Sequence, residues 1–265
     1  MKPITLSRGF TLAELAVVLV IVGLLLGGLF MPLSAQMNSR NTNDTQKTLN
    51  DIRDALLGFA AANGRLPCPA LATISDTTAG AGLESPQGGP CANSAGVLPW
   101  VTLGVPETDA WGNRFTYRVT LDFARVANGQ NTYSSTAGTC ITNNNPPTNP
   151  PINPQFAAFA LCSQGDMTIV NTTVGSSSPI STNIPAVVIS HGKNGNGAFT
   201  SQGTPLSPGG DQDEISNQLI QPNGIATAVG NNFVSKTPTP TFDDIVMSIS
   251  SNLLFNRMIA AGKLP

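Results

Sequence analysis

The hydrophobic pattern of the chain begins with a long apolar stretch near the N-terminus. Residues 15–31 contain no polar side chain, and residues 10–33 carry one charge, Glu14. These 24 residues would span about 36 Å as a helix, whereas the apolar core of a bilayer is about 30 Å thick. The residues before position 10 include Lys2 and Arg8 and no acid. We therefore expect residues 10–33 to cross a membrane once, with a cytoplasmic N-terminus.

A second apolar pattern follows at helical spacing. Four apolar side chains recur every three or four residues: Leu49, Ile52, Leu56 and Phe59. This stripe predicts an amphipathic helix that packs against a sheet. Asn63 and Gly64 form a helix stop, with Pro67 shortly after it. One helix is therefore expected from about residue 11 to about residue 62.

Strand-like patterns dominate the rest of the chain, which is rich in Thr, Ser, Asn, Gly and Pro. Apolar and polar residues alternate over residues 114–123, which predicts one half-buried strand. Shorter runs predict strands at 156–162, 184–190, 232–236 and 245–249, a helix at 251–261 and a surface loop at 143–154. We expect an α+β fold in which the long N-terminal helix packs on an antiparallel β-sheet head with a single core.

Charge and composition argue against two classes of function, nucleic-acid binding and catalysis. The formal net charge is −2, only 11% of residues are charged, and the chain has one histidine. A nucleic-acid module usually carries a basic stripe, so no nucleic-acid partner is expected. Any catalyst that needs a histidine would have to use His191, and no catalytic constellation accompanies it, so we do not expect an enzyme. The loop 191–197 (HGKNGNG) is interpreted as a hairpin or bulge turn, with a ligand-binding loop as the alternative.

The segment Arg8-Gly9-Phe10-Thr11-Leu12-Ala13-Glu14 resembles the processing signature of type IV prepilins and of the related type II secretion pseudopilins. The resemblance implies that a membrane peptidase cuts between Gly9 and Phe10 and that Phe10 becomes N-methylated. It also implies that Glu14 is the fifth residue of the mature chain, a position at which that family has a glutamate. Residues 109–117 resemble, more loosely, an Asp-Pro-Trp-Gly turn of major pseudopilins. Ala110 replaces its proline, and Trp111 is expected to be a core aromatic.

The resemblance divides the chain into a leader at 1–9, a helix at 10–63 and a periplasmic or extracellular head at 64–265. It implies a pilin-like structural subunit, a minor pilin or a pseudopilin. Its expected partners are prepilin peptidase, other pilin or pseudopilin subunits and, before assembly, the bacterial inner membrane. A pilus-borne surface binding protein, adhesin-like or ligand-capturing, is the alternative. A plain secretory signal peptide is the alternative for the N-terminus, but the apolar run is longer than the usual length of about 7–15 residues of a signal core and contains Glu14.

Glu14 has no charged partner between Phe10 and Phe30, so we expect no partner for it within its own helix. In a filament it could pair with the Phe10 amine of a neighbouring subunit, because a carboxylate in an apolar core is tolerable only when it is paired. Alternatively, the side chain of Glu14 reaches back to the cytoplasmic interface.

All four cysteines fall in the expected head: Cys68, Cys91, Cys140 and Cys162. None forms a Cys-x-x-Cys pair, which argues against a zinc ribbon. Three disulfide connectivities are open, and local pairing would join Cys68 to Cys91 and Cys140 to Cys162. Disulfides would require an oxidising compartment such as the periplasm. Reduced, buried thiols are the alternative.

An acidic segment in the C-terminal half is the candidate metal site. Asp211, Asp213 and Glu214 lie within four residues, with Asn217 close behind and the pair Asp243-Asp244 further on. Carboxylate oxygens of this kind bind calcium. Major pseudopilins bind calcium in a C-terminal loop, and the resemblance here is one of region only. A solvated acidic turn or helix cap is the alternative, and no other cofactor is expected.

Overall fold

The computed structural model describes residues 11–88, 91–124, 133–134, 141–142, 157–159, 161–220, 223–224 and 231–264. The predicted loop at 143–154 lies outside these ranges. The chain divides into two compact units, Met1–Asn43 and Asp44–Pro265. The first helix, α1, runs over Leu12–Asn63 and contributes to both units.

The bounds of α1 agree with the sequence pattern. Its last residue is Asn63, and Gly64 follows with a φ of 75°, the left-handed conformation that commonly ends helices. Leu49, Ile52 and Leu56 are fully buried and Phe59 is half-buried, so the predicted apolar stripe is confirmed for its first three residues and partly for the fourth. The end of the helix is therefore set by its own sequence and its burial by packing against the head.

The rest of the described chain contains short elements. The helices are α2 (Trp100–Leu103), α3 (Leu121–Ala124), α4 (Gln212–Asn217) and α5 (Ser251–Ala260). The strands are β1 (Ala95–Val97), β2 (Thr116–Val119), β3 (Tyr133–Ser134), β4 (Ile141–Thr142), β5 (Met167–Val170), β6 (Pro179–Ile184), β7 (Ala186–Ser190), β8 (Asn232–Val234) and β9 (Ile245–Ile249).

The main sheet is antiparallel and has the strand order β1-β2-β7-β9. A three-stranded sheet has the order β6-β5-β8, with β5 and β8 parallel, and β3 pairs with β4. The expected α+β fold, a long N-terminal helix with an antiparallel sheet, is therefore confirmed. The parallel β5–β8 pair is an addition that the sequence pattern does not predict.

Apolar clusters cover both faces of the main sheet. Val188 packs in the cluster that contains the buried stripe of α1, whereas Val187 and Ile189 belong to a second cluster with Phe233. Successive strand residues point to opposite faces, so the two clusters lie on opposite sides of β7. The expectation of a single core is corrected accordingly.

This two-sided burial also corrects the strand predicted at 114–123. Strand β2 is buried at all four positions, and Leu121–Ala124 form the helix α3 instead of continuing the strand. Phe123 packs against Phe159 from α3, with ring centroids 4.7 Å apart. The alternating apolar residues therefore belong partly to a strand and partly to a helix. The second face of β2 is buried because the apolar cluster that contains Phe233 covers it.

Two further expectations need correction. The described residues of 156–162 contain no strand, because Phe159 serves the aromatic contact with Phe123 from a loop. Trp111 lies at a turn and is only half-buried, whereas Trp100 is buried in the second cluster. Strand β9 and helix α5 match their predictions, and the Ser250 hydroxyl caps α5.

Candidate functional site

The start of α1 is a reciprocal hydrogen-bonded cap made by Thr11 and Glu14. The backbone N–H and the hydroxyl of Thr11 donate to the Glu14 carboxylate over 2.8 and 2.9 Å, and the Glu14 N–H donates back to the Thr11 hydroxyl over 3.3 Å. This capping box satisfies N–H groups that a helix N-terminus leaves free. It corrects the expectation that Glu14 has no partner within its own helix. Gly9 and Phe10 lie outside the described residues.

The first turns of α1 carry exposed apolar side chains on every side. Leu12 is 90% exposed, and the large apolar residues from Leu15 to Leu24 are between 43% and 72% exposed. A helix that is apolar all round is typical of one surrounded by lipid or by other protein. Among the described residues, no helix reaches the length and hydropathy required to cross a bilayer.

The cysteines of the described residues are oxidised. Cys68 and Cys91 form a disulfide with a Cα–Cα distance of 5.2 Å, and Cys162 is also disulfide-bonded. Cys140, which local pairing would join to Cys162, lies outside the described residues. The alternative of reduced thiols therefore does not hold for Cys68, Cys91 and Cys162.

Of the predicted calcium ligands, Asp211 acts as the cap of α4. Its Oδ1 accepts hydrogen bonds from the backbone N–H groups of Asp213 and Glu214, both over 3.0 Å. An aspartate at this position satisfies free N–H groups of a helix N-terminus. The helix-cap alternative therefore describes Asp211.

Asp213 points away from Glu214 and is held by a basic partner. Its carboxylate pairs with Lys236 and accepts hydrogen bonds from Thr172 and Thr173. Burial acts to raise the pKa of Asp213, but the hydrogen bonds from Lys236 and Thr173 outweigh it and lower that pKa to about 2. The structure therefore does not bring Asp213 together with Glu214.

Glu214 instead lies beside Asp243 and Asp244, and we call these three residues the acid cluster. One carboxylate oxygen from each lies within 4.8 Å of the others. Glu214 is 1% exposed and Asp244 is 4% exposed, while Asp243 is half-buried. Two unit charges about 4.8 Å apart repel by about 3 kcal/mol at an effective dielectric constant of about 20, and closer charges repel more strongly. Burial and the neighbouring charges of Glu214 and Asp244 raise the pKa of Asp243.

The loop 191–197 closes over the acid cluster. The Asn194 N–H donates to Asp243 Oδ2 over 3.0 Å. The side-chain amides of Asn194 and Asn196 donate to the two oxygens of Glu214 over 2.7 and 3.1 Å. Gly192 has a φ of +59°, and a Cβ there would lie 2.4 Å from the Asp243 carbonyl oxygen, so only glycine fits. The loop is a turn, as expected, and it also holds two carboxylates in place.

The side of the cluster formed by Asp244 contains unsatisfied polar atoms. Asp244 Oδ2 accepts from the Asn217 amide over 2.9 Å, while Oδ1 lies 3.5 Å from His191 Nδ1. The other ring nitrogen of His191 bonds the Thr116 hydroxyl over 2.8 Å. Among the described residues, Asp243 Oδ1, Asp244 Oδ1 and His191 Nδ1 are buried without a hydrogen-bond partner.

Strand pairing explains why sequence spacing did not reveal this cluster. In the antiparallel β7–β9 pair, Ser190 at the end of β7 faces Ile245 at the start of β9. The loop after β7 and the acids before β9 therefore meet at the same end of this strand pair. The available signal was the position of Asp243 and Asp244 directly before one apolar run and of the glycine-rich loop directly after another.

The comparisons with known proteins concern the N-terminus. Residues 5–30 match the family model of the prokaryotic N-terminal methylation motif, the prepilin-type signature of type IV pilins and pseudopilins. The match supports a pilin-like subunit that is processed by prepilin peptidase. No curated protein matches the chain, and no solved structure does.

Proposed function

We propose that the chain is a filament subunit, either a minor pilin of a type IV pilus or a pseudopilin of a type II secretion system. The methylation motif at residues 5–30 supports processing, and the exposed apolar surface of residues 12–24 supports assembly. Such a surface is unfavourable in water and is stable in lipid or against similar helices. The subunit would thus act by assembly and not by turnover of a substrate.

The proposed location before assembly is the bacterial inner membrane. Residues 10–33 would anchor the chain, and Lys2 and Arg8 would keep the leader in the cytoplasm. The head would then lie in the periplasm. The Cys68–Cys91 disulfide supports this compartment, because disulfides persist where the environment is oxidising.

Processing is the first test of this function. Co-expression with a prepilin peptidase should remove residues 1–9 and leave a methylated Phe10, which intact-mass spectrometry and N-terminal sequencing detect. Gly9→Ala should be cut less efficiently than the matched leader variant Ser7→Ala, because the processing signature places glycine itself directly before the scissile bond. A mature N-terminus at Gln36 would instead identify an ordinary signal peptide and contradict the proposal.

The second test separates the charge of Glu14 from its capping role. Glu14→Gln keeps a side chain that can complete the capping box with Thr11 but removes the charge. If Glu14 pairs with the Phe10 amine of a neighbouring subunit, this variant should be processed normally and be lost from filaments. The control Thr11→Ala removes the hydroxyl of the cap and keeps the charge, so it should still be incorporated.

Sheared filaments and membranes are compared by immunoblot for this second test. Wild-type incorporation of Glu14→Gln would contradict charge pairing and leave the cap as the role of Glu14. Deletion of the gene then separates the two systems: a minor pilin is required for surface pili, and a pseudopilin for release of secreted enzymes into the medium.

A further inference from the structure

Three carboxylates from separate segments of the head converge in the acid cluster. Glu214 belongs to α4, whereas Asp243 and Asp244 directly precede β9. Their nearest oxygens lie within 4.8 Å of one another, and two of the three side chains are almost fully buried. Carboxylates avoid such proximity unless a positive charge lies between or beside them.

Two oxygens of the cluster have no donor. Asp243 Oδ1 and Asp244 Oδ1 are buried and lack a hydrogen-bond partner among the described residues. The Asp244 side chain cannot turn to solvent for one, because the residue is only 4% exposed. A buried acceptor without a partner is costly, and native structures rarely leave one unexplained. The remaining oxygens of the cluster are positioned by Asn194, Asn196 and Asn217, so the carboxylates are held in fixed orientations.

The described part of the head supplies little positive charge to this cluster. A basic group that the structure places beside the cluster is His191, whose Nδ1 lies 3.5 Å from Asp244 Oδ1. Lys236 is paired with Asp211 and Asp213, which do not belong to the cluster. A neutral or singly protonated imidazole does not balance three carboxylates.

We propose that Glu214, Asp243 and Asp244 bind a divalent cation with the size of Ca²⁺. Oxygen-only ligands of this kind are those that Ca²⁺ and Mg²⁺ prefer. Ca²⁺ takes about six to eight oxygen ligands in a flexible geometry, whereas Mg²⁺ is usually held by one or two carboxylates and keeps several waters. One oxygen from each of the three carboxylates lies within 4.8 Å of the others, so one ion can contact all three, and a site with three carboxylates favours Ca²⁺. Water can complete the coordination on the half-buried side of Asp243.

The ligand set differs from the one that sequence spacing predicts. Asp211 and Asp213 serve the cap of α4 and the Lys236 pair, and only Glu214 is shared. A bound cation would tie α4, the loop 191–197 and the start of β9 together, because each contributes a ligand or orients one. The proposal concerns the head alone and does not depend on the filament function.

The test uses the full chain in detergent micelles after removal of divalent cations with a chelator. Calorimetric titration with Ca²⁺ should show one site, and a concentration one hundred times the Kd should raise the Tm by about 5–10 °C. Mg²⁺ at the same concentration should bind at least tenfold more weakly. Absence of Ca²⁺ binding by the wild-type chain up to millimolar concentrations would overturn the proposal, and equal binding of Mg²⁺ would overturn the assignment of ion size.

Asp243→Asn and Asp51→Asn form a matched pair of variants, because Asp51 is an exposed acid on α1. Asp243→Asn should weaken Ca²⁺ binding at least tenfold and leave the Ca²⁺-free Tm unchanged or raised, because repulsion within the cluster falls. A merely structural role of Asp243 would instead lower the Tm equally with and without Ca²⁺, which would contradict the proposal. Asp51→Asn should bind Ca²⁺ as the wild type does.

Discussion

Glu84→Gln removes one charge from an ion pair that is buried at both ends. The two nitrogens of the Arg65 guanidinium bond the two carboxylate oxygens of Glu84 over 2.7 and 2.8 Å, and both side chains are 8% exposed. Glu84 also accepts the N–H of Cys68 over 3.0 Å, and Arg65 donates to the Leu66 carbonyl. The pair therefore joins the end of α1 to the loop closed by the Cys68–Cys91 disulfide.

The expected loss of folding stability follows from the burial of this ion pair. Loss of one partner of a buried ion pair costs about 3–5 kcal/mol, because the other charge is left uncompensated. Glutamine retains one oxygen acceptor, so we expect the lower end, about 3 kcal/mol. For a unit of this size, each kcal/mol lowers the Tm by about 2–4 °C, which gives a decrease of about 6–12 °C.

The assay is thermal unfolding followed by tryptophan fluorescence, because both tryptophans, Trp100 and Trp111, lie in the head. The control is Asp54→Asn in the exposed pair with Arg53, where the two side chains are 37% and 73% exposed. Exposed pairs contribute about 0–1 kcal/mol, so this variant should unfold close to the wild type. Equal Tm values for Glu84→Gln and Asp54→Asn would refute the assignment of stability to the buried pair.

The pH dependence gives a second measurement of the same pair. Burial acts to raise the pKa of Glu84, but the hydrogen bonds from Arg65 and Cys68 outweigh it and hold that pKa below its ordinary value of 4.5. A lowered pKa in the folded state stabilises the protein above the unfolded pKa, and this contribution is lost as the pH falls through the folded pKa. The difference in Tm between wild type and Glu84→Gln should therefore be full at pH 7 and shrink below about pH 4.5.

Three further outcomes are expected. Thiol titration of the denatured, unreduced chain should find no reactive cysteine, and four reactive thiols would contradict the disulfides. Arg114→Met should lower the Tm more than Asp54→Asn, because the fully buried guanidinium donates to three backbone carbonyls and pairs with Glu107; an unchanged Tm would contradict this. The pKa of Asp213, about 2, implies that the stability gained from Lys236 is lost between about pH 4 and pH 2, so Asp213→Asn should show a flatter acid branch of the Tm–pH curve.

Features that depend on neighbouring residues were predictable from the sequence. The stripe of Leu49, Ile52 and Leu56 and the stop at Asn63-Gly64 predicted the packed half of α1, because helical periodicity and chain reversal are local properties. The methylation motif was also predictable, because it is a continuous stretch of sequence, residues 5–30. Strand β9 was predictable because four of its five residues are apolar and Ser248 is the one polar position.

Features that depend on distant partners required the tertiary structure. Alternation over residues 114–123 indicated one buried face, but the second apolar cluster covers the other face of β2 and Phe123 turns into α3 to meet Phe159. The nearness of Asp211, Asp213 and Glu214 in sequence did not place them together, because successive residues of a helix point in different directions.

The acid cluster depends most strongly on tertiary structure. Glu214 and Asp243 are 29 residues apart in sequence, and Asn194 in the loop at 191–197 is 20 residues from Glu214 and 49 from Asp243. They meet because the antiparallel register of β7 and β9 places Ser190 opposite Ile245. The acidic residues and the glycine-rich loop were thus identifiable from the sequence, whereas strand pairing determined which of the carboxylates share one buried space.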